Sequence, residues 1–371
     1  MKKRYKICMV AHHGCIRVWK QAQMLMDEGH TVAVVSDRLH AMEITRYHTF
    51  GKYFDASSLA RFVQLYDAAG FDLFHVHNEP DWIVSTTRNN TKKPVIFDVH
   101  DLESARISIT VPMEEIVLMR ECDGIIHVSD EMAAYSNRIH HNQQPVTVIK
   151  TYTPAKFMAP PALVRGPQRI PGTVVYEGGI TKAFETPTII NDAIGRNKIQ
   201  QKSFRDFGIA FKALLDAGMK VHIYPCELND TLYGYEVMGC TIHSPLPLNS
   251  LIPEMSKYEW GFVGSATPVP LLDKALPNKL YETMAAGCVP LVYCGKAAEK
   301  FVLENGFGVS LDTLEPEEIR LKTQGAPEMR ERYLHRRDEF TMESQYDKLM
   351  QFYADAIEHN ANKNMKEDAN V

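Results

Sequence analysis

The sequence predicts an α/β fold with two doubly wound parallel sheets, one in each half of the chain. Short apolar runs alternate with helical patterns almost from end to end, and the runs are continuous, as in parallel strands covered on both faces. A proline-rich stretch separates two such series. The chain has 371 residues, of which 45% are hydrophobic and 23% charged, which is enough for two globular domains.

The first half opens with the strand KICMVA (6–11). An amphipathic helix follows, with Val18, Ala22 and Leu25 on its apolar face, and Gly29 is its expected C-cap. The further predicted strands are TVAVVS (31–36), LFHVH (73–77), PVIFDV (94–99), GIIHV (124–128) and VTVI (146–149).

The stretch 151–172 holds five prolines without periodicity, and we interpret it as an interdomain linker. The alternation then restarts with strands at 173–176, 220–224, 260–263 and 289–293 and helices near 204–217, 249–258 and 278–286. The predicted domains are residues 1–155 and 156–339, and a last amphipathic helix at 340–360 joins the first domain. We expect the polar tail after His359 to be frayed.

Composition and charge exclude several classes of protein. Seven dispersed cysteines without a C-x-x-C pair indicate reduced thiols, with neither a disulfide framework nor a zinc site. The apolar runs are too short to span a bilayer, and the basic N-terminus leads into a strand, so we expect a cytoplasmic protein. Basic residues at 2–6 leave peripheral contact with the inner membrane surface open. The net charge of −5 argues against broad nucleic-acid binding.

Polar residues follow four of the predicted strands in the first half, at the sheet edge where ligands bind. They include His13 and Gly14 after the first strand, His77 and Asn78 after LFHVH, His100 and Asp101 after PVIFDV, and Ser129 and Asp130 after GIIHV. A metal site is one interpretation, although no H-E-x-x-H or comparable spacing is present. A second interpretation is that the histidines only form hydrogen bonds with backbone groups of the loops. The interpretation we favour is that these residues bind a substrate that accepts a transferred group, with proton transfer assisted by His100 or His13.

A helix start in the second half predicts an anion site. The segment Pro277-Asn278-Lys279 begins a helix, and its exposed N–H groups and positive dipole end suit a diphosphate. Glu282 lies about one and a half turns further on, from where a carboxylate can accept hydrogen bonds from two ribose hydroxyls. The alternative is an ordinary capped helix with a solvated glutamate.

A second phosphate-binding element is predicted after the strand TVVY. Gly178 and Gly179 would let the backbone approach a phosphate closely. Lys182 and Arg205 are the nearby candidate cations, and Arg205 is expected to open the helix that follows. Both cations could equally be solvated surface residues.

Together these segments resemble the retaining GT-B glycosyltransferases of family four over nearly the whole chain. PNKLYETMAAGCVPLV (277–292) is similar to the donor-binding helix of that family, VIFDVHD (95–101) to its strand ending in a His-Asp pair, and ESQYDKLMQFYADAI (343–357) to its crossing helix. The resemblance implies two Rossmann-like domains facing each other across a cleft, with the acceptor held by the N-terminal domain and the nucleotide-sugar by the C-terminal domain.

Two features depart from the family pattern. The family has two glutamates separated by seven residues, of which the second matches Glu282, but the first position holds Lys274, preceded by Asp273. An apparent insertion, roughly 183–203, precedes Arg205. By resemblance, His100 and Asp101 lie near the transferred sugar, and Asp273 contacts its hydroxyls, so these three are the candidate catalytic residues.

The expected reaction is therefore transfer of a sugar, with retention of anomeric configuration, from a nucleotide-sugar to an acceptor. A UDP-sugar is favoured because UDP is the commonest nucleotide of the family. We expect no bound cofactor and no required metal, since a helix N-terminus and two cations can stabilise the leaving diphosphate. The acceptor stays open among glycans, lipid-linked sugars, small molecules and modified nucleic acid. A nucleotide-sugar epimerase and a noncatalytic nucleotide-sugar-binding protein are the alternatives, and the lack of a G-x-G-x-x-G turn disfavours a dehydrogenase.

Overall fold

The chain is built from two units, each with one parallel sheet and helices packed against it. A computed structural model describes residues 3–36, 38–39, 47–49, 55–77, 81–107, 111–183, 189–191, 197–199 and 204–368. The first unit contains Met1–Ala155 and Asp338–Val371, and the second contains Lys156–Arg337.

The described residues form seventeen strands and fifteen α-helices. The strands are β1 (Lys6–Ala11), β2 (His13–Gly14), β3 (Thr31–Ser36), β4 (Arg38–Leu39), β5 (Tyr47–Thr49), β6 (Leu73–His77), β7 (Val95–Val99), β8 (Gly124–His127), β9 (Val146–Val148), β10 (Ile170–Gly178), β11 (Ile189–Asn191), β12 (Asn197–Ile199), β13 (Lys220–Pro225), β14 (Thr241–Ile242), β15 (Tyr258–Gly264), β16 (Val289–Tyr293) and β17 (Val309–Leu311). The helices are α1 (Ile16–Asp27), α2 (Ala56–Ala68), α3 (Trp82–Asn89), α4 (Glu103–Ile107), α5 (Met113–Glu121), α6 (Asp130–His140), α7 (Pro161–Val164), α8 (Gly208–Asp216), α9 (Tyr233–Met238), α10 (Leu248–Met255), α11 (Asn278–Ala285), α12 (Lys296–Asn305), α13 (Pro316–Lys322), α14 (Ala326–Arg336) and α15 (Tyr346–Asp368).

The sheet of the first unit has seven parallel strands in the order β5-β3-β1-β6-β7-β8-β9. β6 and β7 are buried along their whole length, which explains their lack of polar alternation. The strand order reverses between β1 and β6. The loops that follow these strands therefore lie at the switch point where doubly wound sheets bind ligands.

The sheet of the second unit repeats this topology with six parallel strands in the order β14-β13-β10-β15-β16-β17. Its switch point lies between β10 and β15. An aromatic cluster of Tyr176, Phe207, Phe211 and Phe262 fills the core here, with ring centroids 4.7–6.3 Å apart. The predicted α/β fold with two doubly wound sheets is confirmed.

The proline-rich stretch 151–172 contains regular structure, which the sequence analysis missed. A 3₁₀ turn at Ala155–Phe157, the helix α7 and the first residues of β10 all lie within it. Arg169 holds the stretch against the rest of the second unit, because its Nη2 donates to the carbonyl of Gly287 at 2.9 Å. Its Nε donates within the stretch, to the carbonyl of Val164 at 3.1 Å. The boundary between the two units falls inside this stretch.

The C-terminal helix continues to Asp368, so the prediction of a frayed tail after His359 is wrong. Asn360 is only 5% exposed, and its Nδ2 donates to the carbonyl of Lys92 at 3.0 Å. Asn364 donates to the same carbonyl at 3.4 Å. These contacts join residues far apart in sequence, and they anchor a segment whose polar composition suggests disorder.

Three further expectations concern the insertion, the cysteines and the membrane. Of the predicted insertion, only residues 183, 189–191 and 197–199 are described, and the last two segments pair antiparallel as β11 and β12. All seven cysteines are free, and four of them are buried. Within the described ranges, no helix combines the length and the apolar character needed to cross a bilayer.

Candidate functional site

A buried ion pair between Arg17 and Asp98 lies at the centre of the candidate site in the first unit. Arg17 is in the first turn of α1, and Asp98 is in β7. Nε of Arg17 lies 3.0 Å from each carboxylate oxygen of Asp98, and Nη2 lies 2.8 Å from Oδ1. Gln21, one turn further along α1, donates Nε2 to Oδ2 at 2.8 Å. Charge-assisted hydrogen bonds thus hold α1 against β7.

Two histidines of β6 face the same carboxylate. Nε2 of His75 lies 3.2 Å, and Nδ1 of His77 3.4 Å, from Oδ2 of Asp98. Burial lowers the pKa of His75 and lowers that of His77 further, so both rings are neutral at pH 7. Although burial alone would raise it, the pKa of Asp98 lies well below its usual value because Arg17 is beside it. One ion pair and two neutral imidazoles therefore form the buried part of this site.

The same three side chains are close enough to share a cation. Ligand atoms of His75, His77 and Asp98 all lie within 4.8 Å of one another. However, the carboxylate already accepts hydrogen bonds from Arg17 and Gln21. A divalent cation there would require the guanidinium of Arg17 to move, because two positive charges would otherwise meet at one carboxylate.

His100 follows β7 and is half-buried. Its Nε2 lies 3.3 Å from Nδ1 of His77, and its Nδ1 lies 3.8 Å from Sγ of Cys15. Burial alone would lower the pKa of His100, but the charges of Cys15 and Asp98 raise it above its usual value. His100 is therefore a partly accessible imidazole at this sheet edge that can carry a positive charge near neutral pH.

The other predicted residues of the first unit have different surroundings. His77 is 1% exposed and belongs to the buried network, not to the surface where acceptor binding was expected. Asp101 pairs with Arg106, with 2.7 Å between Oδ2 and Nη2. Gly14 is half-buried in β2. Asn78 and the side chain of His13 lie outside the described residues.

In the second unit, predicted donor residues meet at the carboxyl end of β10. Gly178 has φ of +117°, and a Cβ there would lie 3.7 Å from Nζ of Lys279. A Cβ at Gly179 would lie 2.8 Å from Nη1 of Arg205. Two cations from distant parts of the chain thus approach a pair of glycines, as the anion-site prediction requires. Arg205 precedes α8, which begins at Gly208, so the expectation that Arg205 opens the helix is wrong.

Lys279 lies against Tyr176, a residue that the sequence analysis did not select. Nζ of Lys279 donates to the hydroxyl of Tyr176 at 2.8 Å, and that hydroxyl donates to the carbonyl of Gly179 at 2.6 Å. Burial lowers the pKa of Lys279 to about 8; Glu177 opposes this shift and Arg205 adds to it. A negative charge placed in this site therefore favours the protonated form of Lys279.

Glu282 is 4% exposed, so the alternative of a solvated glutamate is wrong. It lies in α11, which begins at Asn278, with Pro277 as the N-cap residue and not in the first turn. The helix predicted near 278–286 is therefore present as α11. The charge of Glu282 raises the pKa of Lys279, so these two side chains interact.

Three predicted residues of this unit are not among these contacts, namely Lys182, Asn278 and Asp273. Lys182 and Asn278 are exposed. The carboxylate of Asp273 lies 3.3 Å from Nζ of Lys296, and Nζ of Lys274 donates to the carbonyl of Pro270 at 3.0 Å. Tyr176 and Glu177, which do contact or influence Lys279, carry no sequence signal beyond their place at the end of a strand.

Residues 16–152 match the family described as Glycosyltransferase Family 4. No curated protein matches the sequence. Among solved structures, sucrose-phosphate synthase from Thermosynechococcus elongatus is similar, with a TM-score of 0.65, 15% identity, and 95% of this chain and 98% of that chain covered.

Two similar structures contain nucleotide. HepE from Anabaena, in complex with UDP and glucose, has a TM-score of 0.58 and 11% identity, with 98% of this chain and 100% of that chain covered. An alpha-glucosyltransferase in complex with UDP-glucose and DNA containing an abasic site has a TM-score of 0.57 and 15% identity, with 94% and 100% covered. The resemblance found in the sequence is thus confirmed: the chain has the GT-B fold of the nucleotide-sugar glycosyltransferases, and residues 16–152 carry the match to family four.

Proposed function

We propose that this protein transfers a hexosyl group from a UDP-sugar to a hydroxyl of an acceptor, with retention of anomeric configuration. The observation that carries the proposal is the convergence of Arg205 and Lys279 on Gly178 and Gly179 at the switch point of the second sheet. The complexes of similar proteins with UDP and with UDP-glucose favour UDP as the nucleotide.

The diphosphate would be held by charge and by backbone. Arg205 offers a planar guanidinium that suits two phosphate oxygens, whereas Lys279 offers a compact ammonium group. The N-terminus of α11 adds backbone N–H groups and the positive end of the helix dipole. These donors stabilise the charge that develops on the leaving diphosphate, and their preorganisation lowers the reaction barrier.

Glu282 would bind the ribose. A buried carboxylate accepts two hydrogen bonds from neighbouring hydroxyls and is desolvated before the ligand arrives, so little water has to be displaced. In the first unit, we assign His100 to the orientation of the acceptor or the transferred sugar, because it is the accessible member of the buried histidine network.

Calorimetric titration with UDP tests the donor assignment. Glu282→Ala and Lys279→Met should each raise the Kd for UDP at least about tenfold, which corresponds to about 1.4 kcal/mol. Lys212→Met is the matched control, because Lys212 is exposed on α8 and pairs only with Asp216 among the described residues. Equal affinities in all four proteins would refute the donor site. GDP, ADP and dTDP, titrated in parallel, test the choice of base.

The reaction class requires product analysis. Incubation with UDP-glucose or UDP-galactose and a panel of glycan, lipid-linked and small-molecule acceptors should release UDP, and proton NMR of the product should show the anomeric configuration of the donor. DNA with hydroxyl-bearing bases belongs in the panel, because one similar structure contains DNA. Conversion of the donor to another UDP-sugar would indicate an epimerase instead, and binding without any turnover a noncatalytic protein.

A further inference from the structure

Cys15 is half-buried at the start of a helix, and its thiol faces a histidine. It is the N-cap residue of α1, a helix of twelve residues, and its Sγ lies 3.8 Å from Nδ1 of His100. Of the seven cysteines, four are buried and Cys226 is exposed. Cys15 combines partial exposure with an imidazole at contact distance, which is the geometry that activates a thiol for nucleophilic attack.

The charges around Cys15 favour the thiolate. Burial alone would raise its pKa, but the positive charge of His100 and the backbone N–H groups of Arg17 and Val18 lower it below the usual thiol value. The thiolate in turn raises the pKa of His100. Both shifts have the direction expected for a thiolate–imidazolium pair.

Charged groups on the neighbouring elements shift the pKa of His100 in opposite directions. Asp98 of β7 raises the pKa of His100 and Arg17 of α1 lowers it. Burial lowers the pKa of His77 in β6 and keeps its ring neutral, and its Nδ1 lies 3.3 Å from Nε2 of His100. The other six cysteines differ from Cys15, because the pKa of each lies above the usual thiol value, with desolvation of the thiol as the main cause and no opposing charge large enough to reverse it. They are Cys8, Cys122, Cys226, Cys240, Cys288 and Cys294.

We propose that Cys15 is a site of reversible S-thiolation by low-molecular-weight disulfides, and that the adduct blocks the site at His100. The Cys15 thiolate attacks one sulfur of the disulfide, and a new S–S bond forms to that sulfur. The original S–S bond breaks, and the second sulfur leaves as a thiolate that takes a proton from solvent. Cys15 is thereby oxidised and one half of the small disulfide is reduced, without a further oxidant.

The adduct has two consequences for His100. The imidazolium loses the negative charge beside it, so its raised pKa falls, and the bulky substituent occupies the space next to Nδ1. The effect on sugar transfer rests on the proposed function, whereas the reactivity of the thiol does not.

Alkylation with iodoacetamide, followed by peptide mass spectrometry at a series of pH values, measures the reactivity. Cys226 is the internal control because it is exposed in the same molecule. The midpoint of the rate profile for Cys15 should lie at least about one pH unit below that for Cys226. In His100→Gln the midpoint for Cys15 should move upward by a similar amount. A Cys15 midpoint at or above that of Cys226 in the unmodified chain would overturn the proposal without any variant.

Oxidised glutathione at pH 7 tests the adduct itself. One glutathione should attach at Cys15, dithiothreitol should remove it, and Cys15→Ser should abolish it. An adduct confined to Cys226 would contradict the proposal. UDP release from a UDP-sugar should fall in the thiolated protein and persist in treated Cys15→Ser. If the adduct forms at Cys15 but no protein binds UDP, the proposed function fails and the reactive thiol stands.

Discussion

Arg17 on α1 donates Nε to both carboxylate oxygens of Asp98 on β7, at 3.0 Å each, and its Nη1 donates to the carbonyl of Ile149 at 2.6 Å. The two charged side chains are 2% and 0% exposed. One buried arginine therefore joins the first helix, a central strand and the segment after β9. The contribution of this ion pair to the free energy of unfolding depends on the presence of both partners, because either charge alone would be buried without compensation.

We predict that Asp98→Asn lowers the free energy of unfolding by about 3–5 kcal/mol, because it leaves a buried guanidinium without its counter-charge. Urea denaturation at pH 7 measures the loss. Asp216→Asn is the control, since it removes the partner of Lys212 in an exposed pair on α8 and should cost less than about 0.5 kcal/mol. A loss in Asp98→Asn as small as that in Asp216→Asn would show that the buried guanidinium of Arg17 does not depend on Asp98 for compensation of its charge.

The stability of the protein should fall as the pH falls from 6.5 to 4. His127 is buried, no partner for its ring nitrogens is found among the described residues, and burial lowers its pKa from 6.5 to about 4. Because this folded-state pKa is below the unfolded value, the unfolded chain binds more protons in that window, so acid favours unfolding.

From this shift, about 2 kcal/mol of the loss between pH 7 and pH 5 belongs to His127. Urea titrations at the two pH values should therefore differ less in His127→Leu than in the unmodified chain. The exposed His335, replaced in the same way, should leave the difference unchanged. An identical pH difference in all three proteins would refute the assignment.

Gly264 ends β15 at a position that excludes every other residue. Its φ is +132°, and a Cβ would lie 1.8 Å from the carbonyl oxygen of Tyr293 on β16. Gly264→Ala should therefore lower the melting temperature by several degrees more than Gly218→Ala. Gly218 also has a positive φ, +88°, but a Cβ there meets nothing within 4 Å, so only the backbone strain of about 1–2 kcal/mol applies. Similar melting temperatures would indicate that β16 shifts to accept the methyl group.

The affinity for UDP should weaken above pH 8. Burial lowers the pKa of Lys279 to about 8, and a bound diphosphate favours the protonated amine, so the free protein loses a cation as the pH rises through this value. The Kd should increase by up to about tenfold per pH unit until the pKa of the complex is reached. Calorimetry at pH 7 and pH 9 measures this. Lys279→Met should bind more weakly, with an affinity that does not change between these pH values, and a change equal to that of the unmodified chain would assign the titration to another group.

The sequence identifies elements best where their signals are local. The apolar runs that became β6, β7 and β8 are correct to within about a residue, because burial on both faces selects nonpolar side chains continuously. α11 was predicted nearly to its ends, since Pro277 and Gly287 mark its boundaries. The last third of α15, beyond the predicted end at residue 360, was missed because the anchor of this segment is the carbonyl of Lys92, more than 260 residues away.

For the candidate site, the sequence determined which strand ends and which helix start carry polar residues, and so placed Gly178, Lys279 and Glu282 in one hypothesis. Only the tertiary structure decided which of them touch. Tyr176 and Lys279 are 103 residues apart in the chain, and Cys15 and His100 are 85 residues apart. Parallel strands need long crossovers, so partners at one sheet edge come from distant segments, and no local pattern in either segment records the pairing.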